Sequence, residues 1–132
     1  MRDNQALADS TSGFGVIEMT DTASDRLFVH SVGSLRIINY DDIDIILASG
    51  NYVEVCHKDG RHLHRATMNY MEKKLCNKKF IRVHRSAIVR ISQIVELKSL
   101  DDEKIELLLK NGDRVRASLK YKNMLLKAIG VL

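Results

Sequence analysis

From Arg26 onward the chain consists mainly of short β-branched and apolar runs separated by turn residues, a pattern that few folds accommodate. The first runs are Leu27–Val32, Leu35–Asn39, Ile43–Ala48 and Tyr52–His57, separated by Gly33-Ser34, Asp41-Asp42 and Gly50-Asn51. Runs of this length between turn signals are typical of strands. About eight or nine such strands and two short helices predict a mainly β domain.

Two pairs of turn residues predict β-hairpins. Asp59-Gly60 precedes Arg61–Arg65, and Asn111-Gly112 lies between Ile105–Lys110 and Asp113–Ser118. Both pairs readily adopt the positive φ that a type I′ turn requires. Alternation in the second hairpin predicts that Arg114 and Arg116 point away from its apolar side. That side holds Ile105, Leu107, Leu109, Val115 and Ala117.

The sequence pattern predicts short helices in two segments. In Thr67–Asn77, the residues Met68, Met71 and Leu75 recur at i, i+3 and i+7, with Thr67 available as the N-cap. We interpret the methionines as core residues, because thioethers fill irregular gaps. Lys120–Ile129 is the second helix; Leu125, Leu126 and Ile129 are expected to dock it, and Gly130 to end it.

The length of 132 residues fits one domain. Small and polar residues dominate residues 1–24, so we expect a flexible leader, or a trimmed link to an upstream segment, followed by a domain over residues 25–132. No apolar run approaches a membrane span, and the N-terminus lacks the order of a signal peptide. Cys56 and Cys76 are too few for a disulfide framework and are expected to be buried. A cytoplasmic location follows as an expectation.

Charge is divided unevenly along the chain. Residues 1–60 carry four Lys/Arg and ten Asp/Glu, whereas residues 61–132 carry seventeen Lys/Arg and seven Asp/Glu. From Arg61 to Arg90 there are nine Lys/Arg against one acid, Glu72. Within this window, Phe80–Val89 places an Arg-x-His-Arg-Ser cluster between two short apolar runs. Fixed cationic donors of this kind predict a partner that is a polyanion.

Catalytic and metal-binding patterns are scarce. The sequence has no phosphate-binding glycine loop and no Gly-x-Ser-x-Gly elbow. His84 and Ser86 share a strand face without a third group to orient them. The three histidines His57, His62 and His64, with Cys56 as a fourth candidate, lack a recurring ligand spacing. We therefore predict no enzymatic activity, metal or cofactor, with a small metalloenzyme on these histidines as an alternative.

Among polyanions, duplex DNA is favoured. Single-strand binders usually need exposed aromatic platforms, and this chain has only three Phe and four Tyr, scattered, and no Trp. The helical segments are isolated between strands, which excludes a helix-turn-helix. Candidate donors cluster at turns and element ends: Asn51, Arg85, Ser86, Lys120 and Lys122.

These residues resemble the LytTR DNA-binding domain of bacterial transcription regulators. The resemblance runs from about Arg26 to Leu132, and its central motif is Phe-x-Arg-x-His-Arg-Ser-x-x-Val, from Phe80 to Val89. The other matching segments are Asp42-Ile43, Ile46–Val53, the helix ending in Leu75, Ile94, Leu109–Gly112 and Ala117–Tyr121.

The resemblance implies an elongated stack of small, mostly antiparallel β-sheets with one or two short helices. It also implies loops that enter successive major grooves of a tandem direct-repeat site and bend the DNA. The loop at Asn51 and Tyr52, the turn at His84-Arg85-Ser86 and the segment Ser118–Tyr121 would supply the contacts. Many relatives also carry a receiver domain, for which the chain has no room. We therefore expect a stand-alone, response regulator-like protein or the DNA-binding part of a larger one.

Four positions depart from the family pattern. Leu119-Lys120 stands where two arginines usually precede the tyrosine, Arg90 replaces an asparagine, and Leu47 replaces a common acid. Lys120 keeps the charge but loses the planar fork of arginine, so we expect base reading to weaken there toward phosphate contact.

We therefore predict a sequence-specific transcription regulator that binds double-stranded DNA. The alternative is a module of the same fold that sequesters a partner regulator. The expected partners are DNA, a second copy of the chain on tandem repeats, and a partner regulator or an upstream sensor, with no membrane. Base contacts are assigned to Asn51, Tyr52, Arg85 and Lys120, and phosphate contacts to Arg65, His84, Ser86, Ser118, Tyr121 and Lys122.

Overall fold

The computed structural model describes residues 26–31, 33–75, 79–101 and 104–131. The leader predicted over residues 1–24 and Cys76 lie outside the described residues. The described part contains ten strands and two α-helices. The strands are β1 (Arg26–Ser31), β2 (Ser34–Asn39), β3 (Ile43–Ser49), β4 (Tyr52–His57), β5 (Gly60–His64), β6 (Phe80–His84), β7 (Ala87–Arg90), β8 (Ile94–Asp101), β9 (Lys104–Leu109) and β10 (Arg114–Ser118), and the helices are α1 (Met68–Leu75) and α2 (Lys122–Ala128).

The strands form three antiparallel sheets. β1 pairs with β2, the order β5-β4-β3-β7-β6 makes a five-stranded central sheet, and β10-β9-β8 makes a third sheet. Every pairing between neighbouring strands is antiparallel. The prediction of a mainly β stack of small antiparallel sheets with two short helices is confirmed.

The central sheet is buried on both faces. One face forms a first core with the β1–β2 hairpin and α1, and the other forms a second core with the third sheet and α2. The first core contains Leu27, Val29, Ile38, Tyr40, Ile43, Ile46, Val53, Val55, Met68, Met71, Leu75, Phe80 and Ile88. The second contains Ile45, Cys56, Val83, Ala87, Val89, Leu107, Leu109, Val115, Ala117 and Leu125.

A β-bulge in β3 allows one strand to serve both cores. Ile43 pairs with His57 and Ile45 with Cys56, so Asp44 is an extra residue on β3. The bulge interrupts the alternation of side chains, and Ile43 and Ile45 consequently lie in different cores. Asp44 accepts a hydrogen bond from Arg90 on β7 at 3.2 Å. The Arg90 departure from the family pattern therefore provides a partner for the bulge carboxylate.

Both predicted hairpins form, but the prediction that their turns are of type I′ is wrong. Gly112 has φ +92°, whereas Asn111 is not among the positive-φ residues, of which Lys79 is the only described non-glycine. Gly112 N–H donates to the Leu109 carbonyl, and Leu109 N–H donates to the Asp113 carbonyl, each at 2.9 Å. This is a three-residue loop with glycine in the left-handed position. The Asn111 side chain favours it by accepting a hydrogen bond from Asp113 N–H at 2.9 Å.

The first hairpin is displaced by one residue. Gly60 pairs with His57, so Lys58 and Asp59 form the connection instead of Asp59-Gly60. Gly60 itself carries the positive φ, +135°.

The predicted helix signals are confirmed. Thr67 Oγ1 accepts a hydrogen bond from Tyr70 N–H at 3.0 Å, and the stripe of Met68, Met71 and Leu75 is buried. At α2, Leu125 is buried, and Gly130, with φ +91°, lies just after the end of the helix. Such a glycine relieves the strain of a left-handed C-terminal residue.

The buried cysteine is also confirmed for Cys56, which lies in the second core. Burial raises the pKa of its thiol to about 11. The thiol is therefore neutral and unreactive in the folded protein.

A buried histidine links folding to pH. His64 pairs with Val53 across β4 and β5, and both side chains are buried. Burial, together with smaller contributions from the nearby charges of His30 and Lys74, lowers the pKa of His64 to about 4. Burial also lowers the pKa values of His30 and His57. The His64 imidazole therefore stays neutral in the fold down to a lower pH than in the unfolded chain, where a histidine protonates near pH 6.5.

We expect the protein to lose stability as the pH falls from about 6.5, because the unfolded chain binds protons first. The loss from His64 should reach about 3 kcal/mol by pH 4. His64→Leu should therefore flatten the dependence of the unfolding free energy on pH, measured by urea titration between pH 7.5 and pH 4. A slope in His64→Leu equal to that of the wild type would contradict this assignment.

Candidate nucleic-acid interface

The turn between β3 and β4 projects from one end of the central sheet. Ser49 pairs with Tyr52, so Gly50 and Asn51 are its two connecting residues. Gly50 has φ +61°, the left-handed backbone that favours glycine at this place. Asn51 is exposed, and Tyr52 is 41% exposed. An amide and a phenol are thereby presented at the tip of a narrow β-ribbon.

The turn between β6 and β7 lies at the same end. His84 pairs with Ala87, which leaves Arg85 and Ser86 as the connecting residues. β3 and β7 are neighbours, with Leu47 opposite Ala87. A hydrogen bond from Ala48 N–H to the Ser86 carbonyl, 2.9 Å long, joins the two turn regions. The ribbon tips therefore project side by side.

His84 and Ser86 hold each other within the second turn. Ser86 N–H donates to His84 Nδ1 at 3.2 Å, and Ser86 Oγ lies 2.9 Å from the same nitrogen. Because Nδ1 accepts the backbone hydrogen bond, the ring proton lies on Nε2. The hydroxyl then donates to Nδ1, and Nε2–H is the ring's remaining donor.

Arg82 braces this turn from inside, a role that our sequence interpretation missed. Its guanidinium donates to the carbonyl oxygens of His84, at 3.2 Å, and of Arg85. It also donates to Asn69 Oδ1 at 2.7 Å and to Glu72 Oε1 at 2.9 Å, both on α1. The position of Arg82 in the Arg-x-His-Arg-Ser cluster was the available signal, but its partners on α1 are not evident from the sequence.

The segment after β10 meets the same turn. β10 ends at Ser118, a 3₁₀ turn covers Leu119–Tyr121, and α2 begins at Lys122. The ring of Tyr121 lies 6.0 Å from Arg82 Cζ and 5.5 Å from Lys120 Nζ. Lys120 is exposed, and Leu119 beside it is 55% exposed.

The structure brings most of the predicted contact residues to one end of the molecule. Strand register places Asn51, Tyr52, His84, Arg85 and Ser86 there. Arg65 joins them, because it directly follows His64, which pairs with Val53. The Arg82–Tyr121 contact brings in Tyr121 and Lys120, with Ser118 and Lys122 adjacent in the chain.

Internal ion pairs engage part of the basic charge. Four arginines pair with carboxylates at distances of 2.9–3.4 Å: Arg61 with Glu54 and Asp113, Arg82 with Glu72, Arg90 with Asp44, and Arg114 with Glu106. Arg85, in contrast, is exposed, and its guanidinium makes no hydrogen bond or ion pair with another described residue. Its planar fork of donors is available to a ligand.

The histidines proposed as a metal site point away from Cys56. His62 and His64 pair with Val55 and Val53, on the face of the first core. Cys56 lies in the second core, on the opposite face. His57 and His62 stack with ring centroids 4.8 Å apart. Within the described ranges, no group of three or more His, Cys, Asp or Glu is arranged to hold a metal ion.

Neither helix of the described residues is long and apolar enough to cross a membrane.

Comparison with known proteins identifies the fold and the family. The model of the LytTr DNA-binding domain family matches residues 33–130. The structure is similar to a solved LytTr DNA-binding domain from Bacillus cereus, with a TM-score of 0.72 and 22% sequence identity, over 80% of this chain and 97% of that one.

Two curated relatives are similar in sequence. The sensory transduction protein LytT of Bacillus subtilis (strain 168) is 30% identical over 115 residues, 86% of this chain and 48% of that protein. The heme-containing CO-sensing transcriptional regulator RcoM 2 of Paraburkholderia xenovorans (strain LB400) is 31% identical over 97 residues, 71% of this chain and 36% of that protein. The chain thus spans less than half the length of these relatives. It belongs to the LytTR family of DNA-binding domains, the DNA-binding modules of transcription regulators.

Proposed function

We propose that this protein is a sequence-specific regulator of transcription whose ribbon tips enter successive major grooves of a tandem-repeat DNA site. The observation that carries the proposal is the exposed Arg85 guanidinium at the tip of a braced two-residue turn. The major groove admits a two-stranded β-ribbon, and arginine is the commonest reader of guanine there.

The base contacts follow from side-chain chemistry and exposure. Arg85 is suited to guanine O6 and N7, and Asn51 to adenine N6 and N7. Tyr52 lies beside Asn51, and Lys120 provides the third base contact. The Leu119 side chain next to Lys120 is suited to a thymine methyl group.

Phosphate contacts would surround these bases. Arg65, Ser118, Tyr121 and Lys122 supply donors around the exposed tips. The hydrogen bonds between His84 and Ser86 support different roles for these two side chains. His84 Nε2–H donates to the phosphate, and Ser86 holds the ring in that orientation.

The wider setting completes the proposal. Grooves on one face of a duplex are about one helical turn apart, so simultaneous entry favours a bent DNA and a second copy of the chain on the neighbouring repeat. The protein would act in the cytoplasm, with an upstream sensor providing the signal. Selection of bound duplexes from a random pool tests the proposal. Enrichment of a repeated motif supports it, whereas a pool without enrichment would favour the module that sequesters a partner regulator.

Arg85→Ala should weaken binding to the selected duplex by roughly 1–3 kcal/mol and relax the choice of base at one position. The physical reason is the loss of a bidentate pair with a base edge. Arg85→Lys is the matched control, since it keeps the charge without the fork. Competition titrations against single-base variants measure both effects. Unchanged affinity and discrimination in Arg85→Ala would refute the base contact.

Lys122→Ala should weaken binding to selected and random duplexes alike. A lysine that neutralises one phosphate releases counterions without reading a base. The slope of log affinity against log salt should consequently fall by about one. Fluorescence anisotropy across a salt series is the measurement. A sequence-dependent loss would instead place Lys122 at a base edge.

Lys120→Arg should strengthen discrimination at the third contact by about 1 kcal/mol or more, because it restores a planar donor fork. Binding to duplexes varied at each position measures the gain, with Lys127→Arg on α2 as the matched control. Equal effects of the two substitutions would show that Lys120 lies outside the groove.

A further inference from the structure

The hydrogen-bond donors of the Arg82 side chain are engaged within the protein. The side chain is only 10% exposed, while the side chain of its partner Glu72 is 41% exposed. Its donors are directed at four oxygens of the protein: the His84 and Arg85 carbonyls, Asn69 Oδ1 and Glu72 Oε1. A guanidinium with this many partners is held in one orientation from several sides.

The turn beside Arg82 follows an irregularity in the pairing of β6 with β7, so it requires support from a side chain. Arg82 pairs with Ile88 and His84 with Ala87, so the β6–β7 register shifts at Val83. A register shift disrupts the regular ladder of backbone hydrogen bonds just before the tip. The donors of Arg82 reach the two carbonyl oxygens that follow this irregularity.

Arg82 also joins the turn to two other elements. Asn69 and Glu72 anchor its guanidinium to α1, which lies in the first core. Its Cζ atom lies 6.0 Å from the ring of Tyr121, in the segment that presents Lys120. A single side chain thus touches α1, the turn that presents Arg85 and the segment that presents Lys120.

We propose that Arg82 is the positioning residue of the DNA interface. It fixes the direction in which Arg85 is presented and the spacing between Arg85 and Lys120, without touching DNA itself. The inference rests on the proposed function. Lysine cannot replace it, because a point donor on a flexible stem cannot hold both carbonyls together with Asn69 and Glu72.

The test compares Arg82→Met and Arg82→Lys with Arg90→Met. Arg90 is a matched control, since its side chain is 18% exposed and pairs with Asp44 at 3.2 Å on the same sheet, but does not contact the turn. The probes are the duplex that the wild type selects from a random pool, its variants at the base that Arg85 reads, and a random duplex. Urea unfolding of each variant checks the fold.

Both Arg82 variants should bind the selected duplex at least tenfold more weakly and lose most discrimination at the base read by Arg85. Their affinity for the random duplex should change less than threefold, because a guanidinium whose donors are engaged by protein oxygens neutralises no phosphate. Arg90→Met should lose stability but keep the discrimination. Wild-type discrimination in a folded Arg82→Met or Arg82→Lys protein would overturn the inference.

Amide exchange separates this outcome from failure of the proposed function. The Ala48 amide donates to the Ser86 carbonyl and reports on the order of the turn. Its exchange should accelerate more in Arg82→Lys than in Arg90→Met, and equal acceleration would overturn the positioning role. Absence of discrimination in the wild type, with Ala48 exchange still dependent on Arg82, would reject only the proposed function.

Discussion

Strand β3 buries apolar side chains on both faces of the central sheet, and the rest of the structure depends on this double burial. The bulge at Asp44 directs Ile43 and Ile46 into the first core and Ile45 into the second. A sheet with two apolar faces is stable in water only when both are covered. The β1–β2 hairpin with α1 covers one face, and the third sheet with α2 covers the other. The exposed turn residues lie at the strand ends, where neither layer covers them.

Arg82 and Arg85 lie three residues apart but have different roles, because their surroundings differ. Arg82 is surrounded by acceptors from the protein, so its donors are used in holding the turn. Arg85 lies at the tip of that turn and is exposed. The hydrogen-bond acceptors on Asn69 and Glu72 thus decide which arginine remains available to a ligand. A count of basic residues cannot make this distinction, since the acceptors that engage Arg82 on α1 belong to another element of the fold.

Features set by neighbouring residues could be predicted from the sequence. Alternation predicted the β9–β10 hairpin, and the Thr67 cap with its methionine stripe predicted α1. Strand β8 was missed because only Ile94 and Leu97 among its eight residues are even partly buried, so its side chains show no alternation. The site was predicted as a set of turns, but the role of Arg82 requires contacts across the fold, with α1 and with Tyr121.

The turn that presents Arg85 is anchored in both cores. Phe80, at the start of β6, packs in the first core, and Val83 packs in the second. A ribbon tip held from one face would pivot about that face, whereas anchors on opposite faces fix its direction. Base recognition requires a donor to be held within about 0.5 Å of its productive position. Under the proposed function, loosening either core would therefore change the direction in which Arg85 is presented to DNA, even where the altered residue lies far from the interface.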